Sequence, residues 1–440
     1  MKKFSRRSVS VNDGAEPSEK RRNRADFSVR NRSDGKVTER HRSTEEHILT
    51  CAAEIILAVE SGRCTLDDIL DDDKYREHRR TLSHLLLGCF KYKKTVEKTL
   101  SSFFRKPPAS GTFSLLKSAF TQALTQHRMA PQAVVNVAVE LAKKDKNHGF
   151  VNAVLRRALA EFSGRELPSS PEDVLPDFLL EKWKKEFSAD EISDLTAAFL
   201  SSPEFTFRIE KGALPLSFEY QKAWSVSEDF PFGTASASEV LCSEEFLHGR
   251  LYVQDPAASL AVSMAPDGKF DRILDLCSAP GGKSLMLLEK YPEVSEFVAY
   301  DRSSRRQELT RKNFDLRGIR HTVTSDSSMI DDQWQLILVD APCSNTGVFR
   351  RRPDALWRFS PEELRKTVEI QMQLLEFSAA HTSAGGYILY STCSIEREED
   401  EEQVNSFLAR HKDFTLIARK KLLPCTSHDG AFCALMQRSV

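Results

Sequence analysis

The sequence predicts an α/β fold on a parallel sheet, placed behind an all-α domain and a small α+β region. Three observations carry this. Apolar residues recur at three and four positions through 45–162. Short strand-like runs and scattered prolines fill 203–255. Beyond 270, apolar runs of four to six residues alternate with helical stretches. The 440 residues exceed one typical core and suffice for two or three domains.

Residues 1–44 hold thirteen Lys or Arg against six Asp or Glu, with Phe4 and Phe27 as their only aromatics. Such a segment cannot bury a core, so a basic disordered arm is expected, either an electrostatic arm for RNA or a solvated tail. Residues 45–165 then read as a helical domain. Leu82, Leu85, Leu86, Cys89 and Phe90 keep helical spacing, and Val135, Val139, Leu141 and Ala142 do so more loosely. Pro107, Pro108 and Gly111 interrupt two helical blocks, and Pro131 suits the first turn of the next helix. No polar constellation there suggests chemistry, which favours a scaffold or RNA-binding role. Residues 163–175, rich in Ser, Pro, Gly and Glu, read as a linker. Helical character returns at 176–200, and Phe205, Phe207 and Ile209 alternate as in a strand, within a small α+β region over 176–255.

The last part, 256–440, carries the runs Ile273–Leu276, Phe297–Tyr300, Leu336–Val339 and Gly386–Tyr390. Each ends in a polar or small residue, as strands buried on both faces do. Ligands in such sheets bind at the carboxyl ends of the strands. That rule selects Asp275 to Lys283, Asp301, Asp326, Asp340 to Cys343, and Ser391 to Cys393.

Composition excludes several classes. The formal net charge is −1, so the chain is not a polycation, although its charge is unevenly placed. No apolar run is long enough to span a membrane, and no apolar signal core follows Lys2. Nine scattered cysteines without a Cys-x-x-Cys pair argue against a disulfide framework and a zinc ribbon; no metal is expected. A reducing, cytoplasmic compartment follows as the expectation.

Asp275-Leu-Cys-Ser-Ala-Pro-Gly-Gly-Lys-Ser284 follows a strand and opens a helix. A P-loop needs glycine where Cys277 stands, and no Gly-x-Gly-x-x-Gly is present, so neither phosphate fingerprint holds. What remains is a small-residue turn that lets a ligand approach closely. Asp301 ends the next strand, where a carboxylate accepts from ribose hydroxyls by Rossmann analogy. Asp326, after the following candidate strand, is placed for an adenine amino group. A turn without a phosphate grip plus two carboxylates suits S-adenosylmethionine; the alternative is a generic strand–loop–helix turn.

A single cysteine is usually a small buried hydrophobe. Cys343 and Cys393, however, both follow strands of one presumed sheet, whose ends converge on the ligand crevice. A thiolate adding to carbon 6 of cytosine makes carbon 5 nucleophilic enough to take a methyl group, and a second acid–base group then assists proton loss and thiol release. Arg350, Arg351 and Arg352 lie just beyond Cys343, placed either for RNA phosphates or as a solvated loop, and Trp357 either stacks on a base or packs. The acids from Glu396 to Glu402 read as complementing a helix N-terminus or as a solvated face.

These motifs resemble the Sun/Nop2/NSUN class of RNA (cytosine-5) methyltransferases, and within it the bacterial branch with a NusB-like N-terminal domain. The resemblance covers roughly 45–436. It rests on Cys277-Ser-Ala-Pro-Gly-Gly-Lys283, Asp340-Ala-Pro-Cys343-Ser344, Thr346-Gly-Val, Arg350-Arg351, Pro353-Asp354, Thr392-Cys393-Ser394, Val253-Gln254-Asp255, and Gly149-Phe-Val-Asn152 through Arg157. It implies a Rossmann-like class I methyltransferase domain behind a NusB-like domain, and a monomer that methylates carbon 5 of a cytosine in 16S rRNA. It implies Cys393 as nucleophile, Cys343 assisting release, Asp340 at the base and the methyl-transfer region, and Lys283 beside them. For S-adenosylmethionine it implies Cys277, Ser278, Ala279, Pro280, Gly281, Gly282, Lys283, Asp301, Arg306, Asp326 and Asp340. The target cytosine must leave its stack. Ser278, Ser325, Asn345 and Glu210 depart from usual Ala, Gly, Gly and Asn, and the arm 1–44 is outside the resemblance.

Two other classes stand beside this expectation. One is a noncatalytic NusB-like RNA-binding or ribosome-assembly factor, or a methyltransferase of another RNA; intact Asp340, Cys343 and Cys393 speak against the noncatalytic form. The other is a DNA cytosine methyltransferase, in which the nucleophile would be Cys343.

Overall fold

The computed structural model describes residues 34–440 except 71, 127, 128 and 332, with side chains from Thr44 onward. The expected arm therefore lies outside the described residues up to 33. From Asp34 its backbone is helical rather than irregular, as the start of α1 (Asp34–Glu60). Residues 45–440 form one compact unit.

Its first part is helical: α2 (Leu66–Leu70), α3 (Arg79–Lys91), α4 (Lys93–Ser101), α5 (Ser110–Thr125), α6 (Pro131–Leu141) and α7 (His148–Phe162). Pro131 occupies the first turn of α6, where its missing N–H is not needed. Leu82, Leu85, Leu86, Cys89 and Phe90 form the inward stripe of α3 and meet Leu116 and Phe120 of α5 in one core. Three helices follow, α8 (Pro171–Val174), α9 (Asp177–Trp183) and α10 (Ala189–Leu200). Ser188 and Glu191 close a reciprocal capping box at the start of α10. Within the expected linker, Val174 and Leu175 are buried, and Lys94 of α4 donates to the carbonyls of Glu172 and Leu175.

The small region pairs β1 (Thr206–Ile209), β2 (Gln221–Lys222), β3 (Phe232–Thr234) and β4 (Leu251–Val253) in an antiparallel sheet of order β2-β3-β1-β4. Short helices α11 (Ala237–Cys242) and α12 (Glu244–Leu247) precede β4, and α13 (Leu260–Met264) leads into the last part.

That part is a seven-stranded sheet. Its elements are β5 (Arg272–Leu276), α14 (Gly282–Lys290), β6 (Glu296–Tyr300), α15 (Ser304–Leu316), β7 (Thr322–Thr324), β8 (Trp334–Asp340), α16 (Pro353–Arg358), α17 (Pro361–His381), β9 (Thr382–Thr392), α18 (Glu401–Arg410), β10 (Phe414–Leu422) and β11 (Ala431–Arg438). The order is β10-β11-β9-β8-β5-β6-β7. The four expected strands are β5, β6, β8 and β9, and they pair in parallel. The hairpin β10–β11 adds an antiparallel edge, with β11 inserted against β9. Separate apolar clusters cover the two faces of this sheet, so its central strands are buried on both sides while the edge strand β10 is largely exposed. The chain leaves β5 for β6 and β7 on one flank and returns to β8 on the other. The β5/β8 boundary is thus a topological switch point, where the strand ends open a crevice.

Candidate active site

Residues from both flanks meet at this switch point. After β5 the chain turns sharply. Cys277 adopts φ 70°, a left-handed conformation uncommon for a side chain with Cβ, and Gly281 takes φ 100° just before α14. A Cβ on Gly282 would lie 2.9 Å from Tyr252 and Gln254, so β4 and the residue after it pack directly on this turn. The turn is held by Ser278 N–H on Tyr300 O at 2.8 Å, Arg306 on Ala279 O at 2.7 Å and Asn313 on Pro280 O at 2.8 Å. Asp275 is fully buried and accepts from Ser284 Oγ at 2.5 Å; burial pushes its carboxyl up to about 7.

Asp301 follows β6 and is 2% exposed, with one oxygen accepting from Ser303 N–H at 2.9 Å and the other 3.4 Å from Arg306. Asp326 follows β7, is exposed, and accepts both N–H and O–H of Ser328. The crevice side of β5 to β7 thus offers carboxylates and tight backbone. Two of its cations are already engaged, Arg306 by Asp301 and Ala279 O, and Lys283 by Asp340 across the switch point at 2.7 Å. This donor set fits a cationic ligand carrying hydroxyl groups better than a phosphate.

The other flank carries sulfur. Cys343 follows β8, Cys393 follows β9, and their Sγ atoms are 3.2 Å apart. Asn345, at φ 63°, accepts from the Cys393 thiol at 3.3 Å and from Arg352 at 3.2 Å, while its amide donates to Cys343 O at 3.0 Å. Gly347 N–H donates to Cys393 O at 3.0 Å; a Cβ there would sit 2.7 Å from that oxygen and 2.9 Å from Gly430 Cα. The Cys393 thiol is held below its ordinary range by the hydrogen bond from Cys343 and then by Arg352 and Lys283, against burial and Asp340. The Cys343 thiol is pushed up by the same hydrogen bond and by burial. Of the two, Cys393 is the sulfur with more thiolate character.

One expectation changes, and two open alternatives are decided. Arg350 does not face solvent: its side chain is 2% exposed, bound to Asp255 at 2.8 Å, to Asp429, and to the carbonyls of Cys425 and Thr426 at 2.9 Å. Arg351 shares both carboxylates, at 2.9 and 2.8 Å, and is partly exposed. Arg352 pairs with Asp67 of α2 at 2.9 Å. An arginine triplet reads as surface because its neutralising acids lie far away in sequence. The acids before α18 are likewise not a solvated face, since Glu396, Glu399 and Asp400 are at most 1% exposed. Glu399 accepts from Ser344 N–H, Ser344 Oγ, Thr367 Oγ1 and Gln371 Nε2, which fixes the Cys343 loop to α17. Trp357 packs: its indole N–H donates to Phe90 O at 2.7 Å, against the helical domain.

Sequence reasoning gave no role to Glu399, met only within the acidic run, or to Asp255 and Gly347, met only within family motifs, and it did not name Asp429. A signal for the first was present, because Glu396, Glu399, Asp400 and Gln403 share the i, i+3, i+4, i+7 spacing of an inward helical stripe. Among the described residues, Glu186, Glu396 and Glu398 lie close enough together to share a cation. They already surround the ammonium of Lys182, at 2.8, 2.6 and 3.1 Å.

Comparison with known proteins agrees with this layout. Residues 261–431 match the family described as 16S rRNA methyltransferase RsmB/F, and residues 46–160 match the NusB family. The ribosomal RNA small subunit methyltransferase B of Vibrio cholerae is 30% identical over 340 residues, 71% of this chain and 78% of that protein. The probable ribosomal RNA small subunit methyltransferase B of Bacillus subtilis is 27% identical over 365 residues, 77% of this chain and 81% of that protein. The crystal structure of PH0851 superposes with a TM-score of 0.71 at 20% identity, covering 89% of this chain and 99% of that one, which shows a shared fold.

Proposed function

We propose, on the premise that the chain belongs to the ribosomal RNA small subunit methyltransferase B family, that it methylates carbon 5 of a cytosine in 16S rRNA. S-adenosylmethionine supplies the methyl group as an electrophilic sulfonium. The residues from Cys277 to Lys283, with Asp301, Arg306, Asp326 and Asp340, would hold it. The observation that carries the reading is the pair of strand-end thiols 3.2 Å apart, one of them biased toward thiolate, beside the Lys283–Asp340 contact at the switch point.

The Cys393 thiolate adds to carbon 6 of an extruded cytosine, forming a C–S bond and placing electron density at carbon 5. Asp340 hydrogen-bonds the activated base, and Lys283 keeps that carboxylate in place. Once carbon 5 carries the methyl group, loss of its proton expels Cys393 and restores the aromatic base. Cys343, whose thiol is held protonated, gives that proton to the departing Cys393 sulfur as the C6–S bond breaks and takes the carbon 5 proton in its place. The helical domain and the small sheet supply RNA contacts, with Arg352 and Arg351 rather than Arg350 available to phosphates.

Two variants and one map test this. Cys393→Ala is expected to abolish methyl transfer to rRNA, and Cys343→Ala to accumulate a covalent RNA–protein adduct visible on a denaturing gel. Normal turnover in both would reject the assignment. Bisulfite sequencing of rRNA from cells with and without the protein identifies the substrate; an unchanged 16S map would remove 16S rRNA while leaving the reaction class.

A further inference from the structure

The connection between β10 and β11 is anchored from behind at several points. Arg350 holds the carbonyls of Cys425 and Thr426, and Asp429 takes both Arg350 and Arg351. Asp429 N–H donates to Asp255 at 3.0 Å. Gly430 N–H donates to Gly347 O at 2.8 Å, and Gly347 N–H in turn holds the carbonyl of Cys393. A loop fixed this firmly, one backbone hydrogen bond away from the residue that supports the nucleophile, carries His428. Its Nδ1 lies 2.8 Å from Asp429 O, which sets the ring.

On that ring lies Trp224, from the segment after β2, with centroids 4.1 Å apart and planes at 29°. Trp224 is 38% exposed, whereas Trp183 and Trp334 are buried and Trp357 is packed against the helical domain. Lys222, two residues earlier, is exposed and takes part in no described ion pair. An indole kept flat against an imidazole, with much of its surface in water, gains little from core burial. It is what an unpaired nucleobase stacks on: a rigid aromatic surface with a cation nearby for the backbone.

We propose that Trp224, backed by His428, is a stacking platform for an unpaired base of the RNA next to the target cytosine. This deepens the methyltransferase reading and rests on it for the identity of the ligand. A base pulled from its stack leaves its neighbour without a partner, and Trp224 replaces that partner.

The test uses the full chain with an unpaired oligocytidine as probe. Wild-type tryptophan emission should fall on titration, and the change should vanish in Trp224→Ala, since the other tryptophans are packed away. Trp224→Ala should weaken binding about tenfold, and Trp224→Phe, which keeps an aromatic face, only about two- to threefold. The slope of affinity against salt should not change, because no phosphate contact is removed. His428→Ala should give an intermediate loss with an unchanged melting temperature. Wild-type affinity in Trp224→Ala, or a loss of affinity with a reduced salt slope, would overturn the platform. Binding and quenching are read without turnover. Quenching by a protein that methylates no RNA would therefore refute the methylation reading and keep the platform. Methylation with unaltered Trp224→Ala binding would do the reverse.

Discussion

Truncating Arg350 to alanine removes the cation that two buried carboxylates share. Asp255 and Asp429 are both within hydrogen-bonding reach of it, and its side chain is 2% exposed. Removing one partner from a buried ion pair costs roughly 3–5 kcal/mol, because the remaining charge is left without compensation. Arg351 still bridges both carboxylates at 2.9 and 2.8 Å, which places the cost near the lower end, about 3 kcal/mol. For a domain of about 150–250 residues, each kcal/mol lowers the melting temperature by roughly 2–4 °C, so a fall of about 6–12 °C is expected. Thermal unfolding followed by circular dichroism at pH 7 and pH 5 measures it. Burial and the neighbouring Asp255 hold Asp429 above the ordinary carboxylate range, and loss of Arg350 raises it further. A carboxyl with a raised folded-state pKa destabilises above that pKa and ceases to do so as the pH falls through it. The deficit should therefore be smaller at pH 5 than at pH 7, and adding Asp255→Asn and Asp429→Asn should recover much of it. An unchanged melting temperature, together with a drop in RNA affinity and a shallower salt dependence, would refute the reasoning and return Arg350 to the RNA surface.

Three further outcomes follow from the site. Asp275 titrates near 7 when folded and in the ordinary range near 4 when unfolded, so it lowers stability progressively as pH rises between those values. Asp275→Asn should gain melting temperature relative to wild type from pH 4.5 to pH 7; a difference constant with pH would deny the burial effect. Gly347→Ala drives a Cβ into two backbone neighbours and should cost about 1–3 kcal/mol of stability. Its methyl transfer should fall at least tenfold (on the order of 1.4 kcal/mol) while cofactor binding by calorimetry is unchanged; full activity would show that the Cys393 carbonyl needs no such support. Arg352→Ala removes a cation that favours the Cys393 thiolate, so the pH midpoint for alkylation of Cys393 by iodoacetamide, read by peptide mass, should move up. An unmoved midpoint would show that Arg352 does not act on the Cys393 thiol.

The parts of the fold legible in the sequence are those whose signal is local. Strands β5, β6, β8 and β9 stand out because burial on both faces demands unbroken apolar runs, and α3 because its stripe repeats within a few turns. The edge strand β10 was not legible, since Arg419, Lys420 and Lys421 break its alternation and its pairing depends on β11. The thiol pair could be placed because both cysteines end recognisable strands. Arg350 could not, because burial follows from Asp255 and Asp429, which lie 95 and 79 residues away. The contact of Gly347 with Gly430 is equally nonlocal, joining two loops that neither sequence window contains.

The position of β11 also bears on biosynthesis. Chains emerge from their N-terminus, and β11 is the last of the described strands to appear, yet it pairs along β9, the strand that leads to Cys393. Gly430, just before it, closes the support behind that residue. A nascent chain can therefore make its helical domain and five of its parallel strands and still lack the backbone support behind Cys393. The backbone behind Cys393 is therefore completed by a segment that is made after the strand that leads to it.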